Sequence, residues 1–299
     1  MSKNFDLYIR EQNVDEGLAI TLKAIFSAVK DISKVVKSSG AEKAGSENAS
    51  GEDQLALDLI ANQFVVDHLR SNGYVGLIAS EEMEDEEKIS DGPYAVCFDP
   101  LDGSSLVDSN LALGSIFGIY KTDTFVGITG DEQVASLIAV YGPRTTIMLT
   151  IKNGVVEFML DKEEFVFVRD GFEIKSGKMF APGNLRACTE REDYLELVNY
   201  WCREGYTLRY SGGMVPDINQ ILVKGKGIFS YPGYSEANEG KLRLLFECSP
   251  ISLLIEQAGG ASTDGMMRIL DKPVGDLHQR TPIFAGSNEE VDRCQEFLF

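Results

Sequence analysis

Leu18, Leu22, Ile25, Val29, Ile32 and Val36 recur at spacings of three and four. That period places them on one stripe and predicts an amphipathic helix stopped by Ser38-Ser39-Gly40. Residues 38–51, SSGAEKAGSENASG, are small and polar without a period and predict a mobile loop. A second helix is expected over 54–70, ended by Asn72-Gly73. Apolar runs at 75–79, 95–98 and 115–120 predict strands, and the first two deliver carboxylates at their C-terminal ends, where sheet folds place ligands. Residues 133–169 are strand-rich, with turns at Gly142-Pro143, Asn153-Gly154 and Asp161-Lys162. Asn-Gly between apolar runs is a hairpin signal. Further on, helical patterns at 193–204, 250–258 and 288–297 alternate with extended runs at 227–231 and 282–285. No repeat or linker divides the chain. The expected class is α+β, with helices layered against sheets. Residues 1–190 would form an N-terminal lobe and 191–299 a C-terminal lobe of one compact unit.

Composition narrows the chemistry. The 299 residues include 28 basic and 47 acidic side chains, a net charge of −19. Nucleic acid needs a basic face, and a polybasic membrane anchor needs the same, so neither partner is expected. Five cysteines without a CxxC pair argue against a disulfide framework and for a reducing compartment. Two distant histidines are too few for a histidine-rich zinc site. The N-terminal MSKNFDLYIREQ has no signal-peptide core, and no apolar run approaches the roughly 18 residues of a membrane helix. The expected location is cytoplasmic.

The acidic residues are not spread evenly. Glu52, Asp53, Asp58, Glu81, Glu82, Asp99, Asp102 and Glu247 lie at strand ends or beside small-residue turns. Magnesium takes hard oxygen ligands, and a site with two or three such ions needs carboxylates from separate segments with cations between them. The string Asp99-Pro-Leu-Asp-Gly-Ser-Ser105 carries the most information. Proline fixes a φ angle and is expected to hold both aspartates around a tight bend. Glycine permits close approach, and the N–H groups of Gly103, Ser104 and Ser105 could cradle a phosphate. Leu101 at the third position excludes an EF-hand. There is no P-loop, G-x-S-x-G or H-E-x-x-H. Cys97 and Cys248 adjoin the acidic segments, but alternation points them into the core. Basic groups at Arg186, Arg209-Tyr210 and Lys241-Leu-Arg243, with Tyr231, suit an anionic ligand in so acidic a chain.

GEDQLALD, ASEE, FDPLDGSS, GSIFGIY, RYSGGMVPD, KLRLLFE, EQAGG and HQRTPIFAGS together resemble the class I fructose-1,6-bisphosphatase and sedoheptulose-1,7-bisphosphatase family, from about residue 17 to the C-terminus. GITGDEQVA, YGPRTT, APGNLRA and GGASTDG resemble the sedoheptulose branch more closely. The resemblance implies a layered α/β/α/β/α fold of the inositol-phosphatase superfamily. It implies metal ligation by Glu81, Asp99, the Leu101 carbonyl, Asp102 and Glu247, with Glu52 or Asp53 at a weaker third position. The metal would be Mg2+, two or three ions, with Mn2+ able to substitute. Asn184, Arg186, Arg209, Tyr210, Tyr231, Lys241 and Arg243 would contact the sugar and its distal phosphate. The arginine matching Arg209 reaches a neighbouring subunit in the fructose enzymes, which implies a homo-oligomer, dimer or tetramer. The cysteine pair of chloroplast sedoheptulose enzymes is missing from residues 38–51, and Leu18, Ala19 and Ile20 replace the polar set that binds AMP in animal fructose enzymes.

The expected reaction is hydrolysis of the 1-phosphate of sedoheptulose 1,7-bisphosphate. Glu82 and Asp58 would accept the proton of the attacking water. Asp102 and Glu247 would hold metal near the leaving oxygen, and the N–H groups of 103–105 would stabilise the equatorial oxygens. The alternatives are a fructose-1,6-bisphosphatase or dual enzyme and, more remotely, a non-catalytic sugar-phosphate sensor. An inositol monophosphatase has no use for a second set of cations.

Overall fold

The stripe of residues 18–36 winds into a helix because its period matches 3.6 residues per turn. The computed structural model describes residues 4–38, 43–47 and 53–298. Helix α1 (Phe5–Glu11) precedes this helix, α2 (Glu16–Val36), and α3 (Ala56–Arg70) follows it. Asp15 caps α2, its carboxylate accepting the Leu18 N–H at 3.2 Å. The expected loop needs correction: β1 (Lys43–Glu47) pairs antiparallel with β2 (Asp53–Leu55). A two-stranded ribbon needs only backbone pairing, so it leaves no apolar alternation to read. Residues 39–42 and 48–52, Glu52 among them, lie outside the described residues.

An eight-stranded sheet follows. Its strands are β3 (Val75–Ser80), β4 (Glu87–Lys88), β5 (Tyr94–Asp102), β6 (Leu113–Tyr120), β7 (Ala135–Tyr141), β8 (Thr145–Thr150), β9 (Val155–Asp161) and β10 (Glu164–Arg169). Their order is β10-β9-β8-β7-β6-β5-β3-β4, antiparallel throughout except for β3 beside β5. A five-stranded sheet is built from β11 (Lys175–Pro182), β12 (Thr207–Leu208), β13 (Lys226–Tyr231), β14 (Ala261–Thr263) and β15 (Ile283–Gly286), in the order β12-β11-β13-β15-β14. The remaining helices are α4 (Glu192–Arg203), α5 (Met214–Lys224), α6 (Ser249–Gln257) and α7 (Asn288–Leu298). Helix α5 gave no sequence signal, since Pro216 interrupts its pattern. In the first turn a missing N–H has no intrahelical partner to lose.

Strand alternation divides the interior into layers. Val96 and Phe98 face one way, against α1, α2 and α3. Ala95 and Cys97 face the other, into a core shared with α5, α6 and the inner face of the second sheet, where Cys248 is also buried. Burial pushes both thiols up, so neither is a nucleophile. The outer face of the second sheet, Phe180, Ile228 and Phe284, is covered by α4 and α7. The result is helix, sheet, helix, sheet, helix. No helix among the described residues is long and apolar enough to cross a membrane.

The outer core is fastened by a buried carboxylate. Glu290 is 1% exposed and accepts the Trp201 indole N–H at 2.9 Å and the Tyr206 hydroxyl at 2.6 Å. Trp201→Ala should lower unfolding free energy by about 3–5 kcal/mol through the cavity it leaves, read by urea denaturation. A loss below about 1 kcal/mol would show that this layer does not unfold with the rest.

Candidate active site

Strand β5 is buried along its whole length and carries Asp99 and Asp102 at its end. The expected tight bend is in fact a bulged strand end. Asp99 pairs with Ile116 and Asp102 with Gly114, so the register on β6 slips by one residue. Proline lacks the N–H a regular ladder uses, and the bulge tolerates that loss. The Pro100 carbonyl is not orphaned: Ser115 Oγ donates to it at 2.7 Å. That commits the serine proton, so the Tyr141 hydroxyl donates to Ser115 Oγ at 2.8 Å. Asp99 Oδ1 accepts the Leu101 N–H at 2.9 Å. Gly103 then takes φ +77, a left-handed conformation that starts the 3-10 turn Ser104–Ser109.

Asp102 also caps α5, accepting the N–H groups of Val215 at 2.8 Å and Met214 at 3.4 Å. The approach depends on Gly114, where a Cβ would fall 2.3 Å from that of Val215. Asp217, one turn into α5, accepts the Ser211 N–H through both oxygens, at 2.9 and 3.1 Å. It thereby fixes the turn between β12 and α5, and burial pushes its carboxyl up to about 7. The sequence reading did not single out Asp217; it lies inside the RYSGGMVPD segment.

Two further carboxylates arrive from elsewhere. Glu81 follows β3, its N–H donating to Phe98 O at 3.1 Å. Glu247 lies in a π-helical turn, Leu244–Cys248, a local widening common at functional sites. Its Oε2 accepts the Arg243 N–H at 2.6 Å, while Arg243 Nη1 lies 3.0 Å from Glu81 Oε1. Oxygens of Glu81, Asp99 and Glu247 all lie within 4.8 Å of one another. Desolvation first, and then the neighbouring carboxylates, push Asp99, Asp102 and Glu247 above the ordinary carboxylate range. Buried all-oxygen donors from three segments, destabilised by their own repulsion, fit a hard divalent cation.

These residues line a cavity of about 380 Å³ together with Asp58, Glu82, Leu101, Gly103, Ser104 and Ser105. Tyr210, Tyr231, Lys241 and Arg243 form its other wall. Tyr210, Tyr231 and Lys241 also face a second cavity of about 530 Å³, lined by Asn184, Arg186 and Arg280. The Asn184 amide is engaged, donating to Pro232 O at 3.1 Å. Arg209 lines neither cavity, and its guanidinium donates to Leu208 O at 3.0 Å. Met214, Phe229 and Arg280 were not singled out as lining residues; Met214 and Arg280 sit in RYSGGMVPD and HQRTPIFAGS, whereas Phe229 reads as plain core.

The family model "Fructose-1-6-bisphosphatase, N-terminal domain" matches residues 6–170, and its C-terminal counterpart matches 174–299. The chain belongs to the fructose-1,6-bisphosphatase family. It is similar to the chloroplastic sedoheptulose-1,7-bisphosphatase of Triticum aestivum, 41% identical and covering 98% of this chain and 76% of that protein. It is also similar to the class 1 fructose-1,6-bisphosphatase of Trichlorobacter lovleyi, 43% identical and covering 99% and 95%. The crystal structure of the Leishmania major fructose-1,6-bisphosphatase in holo form superposes with a TM-score of 0.93 at 33% identity, covering 99% of each chain. This chain is a sugar-bisphosphate phosphatase, a phosphoric monoester hydrolase, in a family that uses divalent metal ions.

Two measurements test the site. Ser115→Ala leaves a buried carbonyl and a buried hydroxyl without a partner and should cost about 1–3 kcal/mol of stability; a neutral result in a denaturant titration would remove the Tyr141–Ser115–Pro100 chain from the support of the strand end. Carboxyls raised in the folded state contribute stability at low pH that is lost as pH rises above the unfolded value, about 4. Without metal, Tm should therefore fall from about pH 5 to about pH 8. Divalent cation needs the ionised forms, so Mg2+ should raise Tm more at the higher pH. An Mg2+ shift that shrinks as pH rises would contradict the raised carboxyls.

Proposed function

We propose that the chain hydrolyses the 1-phosphate of sedoheptulose 1,7-bisphosphate, giving sedoheptulose 7-phosphate and phosphate. One observation carries this reading: two cavities meet at Tyr210, Tyr231 and Lys241, one lined by carboxylates and the other by Arg186 and Arg280. A bisphosphate has a reacting end for the first and an anchoring end for the second. Fructose 1,6-bisphosphate is the second reading, because relatives of both names are about equally similar.

In this reading Glu81, Asp99, the Leu101 carbonyl, Asp102 and Glu247 hold Mg2+, two or three ions. A metal held there would neutralise phosphate charge and make a bound water a better nucleophile. Glu82 and Asp58, on the same cavity wall, accept the proton of the attacking water. The N–H groups of Gly103, Ser104 and Ser105 donate to the reacting phosphate. Arg243 keeps Glu81 in place across the site. Arg186 and Lys241 bind the distal phosphate, and Asn184 holds the loop that presents Arg186. Arg209 is exposed and would, in a homo-oligomer, be open to a second copy of the chain.

Phosphate release from both bisphosphates in Mg2+ tests the proposal, with kcat/KM expected to be higher for the sedoheptulose substrate. Release from neither would overturn it, and a ratio favouring fructose would install the second reading. Arg186→Ala should raise KM for the bisphosphate about tenfold or more while leaving a monophosphate substrate unaffected. Equal losses on both would take Arg186 out of the distal subsite.

A further inference from the structure

The HQRTPIFAGS segment lends Arg280 to the second cavity. Its histidine touches neither cavity wall, yet it reaches the carboxylate loop. His278 Nε2 lies 2.9 Å from the carbonyl oxygen of Met83, 195 residues away in sequence. A carbonyl only accepts, so the ring proton sits on Nε2. Nδ1 is then an acceptor, buried and without a hydrogen-bond partner. The ring packs against Phe246, centroids 5.4 Å apart.

Backbone N–H groups tie loop 80–83 locally. Glu81 N–H donates to Phe98 O, Glu82 N–H to Ser80 Oγ at 3.2 Å, and Met83 N–H to Ser80 O at 3.1 Å. All of them come from its own sheet. The tie to His278 comes from the far half of the chain, and its origin is itself well anchored. His278 N–H donates to Asp276 Oδ1 at 2.9 Å. Leu244 N–H donates to Gln279 O at 2.7 Å and Thr281 N–H to Leu242 O at 3.0 Å. Residues 276–281 are therefore clamped to the segment that carries Arg243 and Glu247. The imidazole joins the exit of the Glu81–Glu82 loop to the segment of Glu247, beside the ion pair that Arg243 makes with the Glu81 side chain.

We propose that His278 is a positioning residue that fixes the Glu81–Glu82 loop, through the Met83 carbonyl, at the spacing from Glu247 that a divalent cation needs. This rests on the reading that Glu81 and Glu247 are metal ligands. The Met83 carbonyl lies in the peptide plane between Met83 and Glu84, so holding it anchors the loop's exit one residue beyond Glu82. The unpartnered Nδ1 is consistent with a ring retained for its other nitrogen.

The test uses Mn2+ as probe, titrated into metal-free full-length protein and followed by the loss of the free-ion EPR signal. His278→Ala should weaken Mn2+ binding about tenfold. His278→Gln, whose amide nitrogen stands near the position of Nε2, should stay within about threefold of the wild type. In turnover assays His278→Ala should lower kcat and raise the Mg2+ requirement, with KM for the bisphosphate changed less than about twofold. Wild-type Mn2+ affinity in His278→Ala would overturn the proposal. So would a Gln variant as weak as Ala, which would assign the effect to packing on Phe246. Wild-type protein that binds Mn2+ but hydrolyses neither bisphosphate would defeat the proposed function, while the Mn2+ comparison would still judge His278.

Discussion

The structure depends on keeping several carboxylates close together away from water. Asp99, Asp102 and Glu247 are each less than a tenth exposed, and Glu81 lies beside them. In a low dielectric such repulsion is severe, and an isolated protein chain would avoid it. The fold opposes it with rigid supports. Asp99 is tied to its own strand end, Asp102 to the start of α5, and Glu247 to the Arg243 backbone. Arg243 supplies one positive charge, against Glu81. The remaining repulsion makes the cluster receptive to a divalent cation, and makes metal binding and folding parts of one equilibrium.

The layered architecture follows from this need for rigidity. The acidic strand end is central in its sheet, flanked by β3 and β6. Its backbone is buried on both sides, so even the carbonyl exposed by a bulge must find a partner, which Ser115 and Tyr141 provide. Glycine at 114 lets α5 come close enough for its N-terminal N–H groups to meet Asp102. The same helix start continues from the turn that carries Tyr210 into both cavities. The two cavities are thus mounted on connected elements.

Much of this was legible in the residues. The long helix, the central strands, the 153–154 hairpin turn and the C-terminal helix follow from periodicity, because burial on one face imposes a repeat. The ribbon at 43–47 and helix α5 were not legible: the first is a run of small and charged residues without apolar alternation, and the second has a proline where the pattern would begin. Within the site, Asp99 and Asp102 announced themselves through a dense local string. Arg280 and Met214 were visible only as parts of motifs, and Phe229 looked like core because a residue facing a cavity and one facing a neighbour have the same composition.

The sequence by itself determined the kind of chemistry. Aspartates, glycine and hydroxyls in one short string suit hard-metal and phosphate contacts. Only the tertiary structure decided how distant segments combine. It brought Glu247 to Asp99, gathered Arg186 and Lys241 around one cavity, and left Arg209 outside both cavities. Those outcomes depend on sheet register and helix packing, which sum small contacts over the whole chain. A motif records what a side chain can bind; the distances between motifs are fixed by the packed layers that hold them.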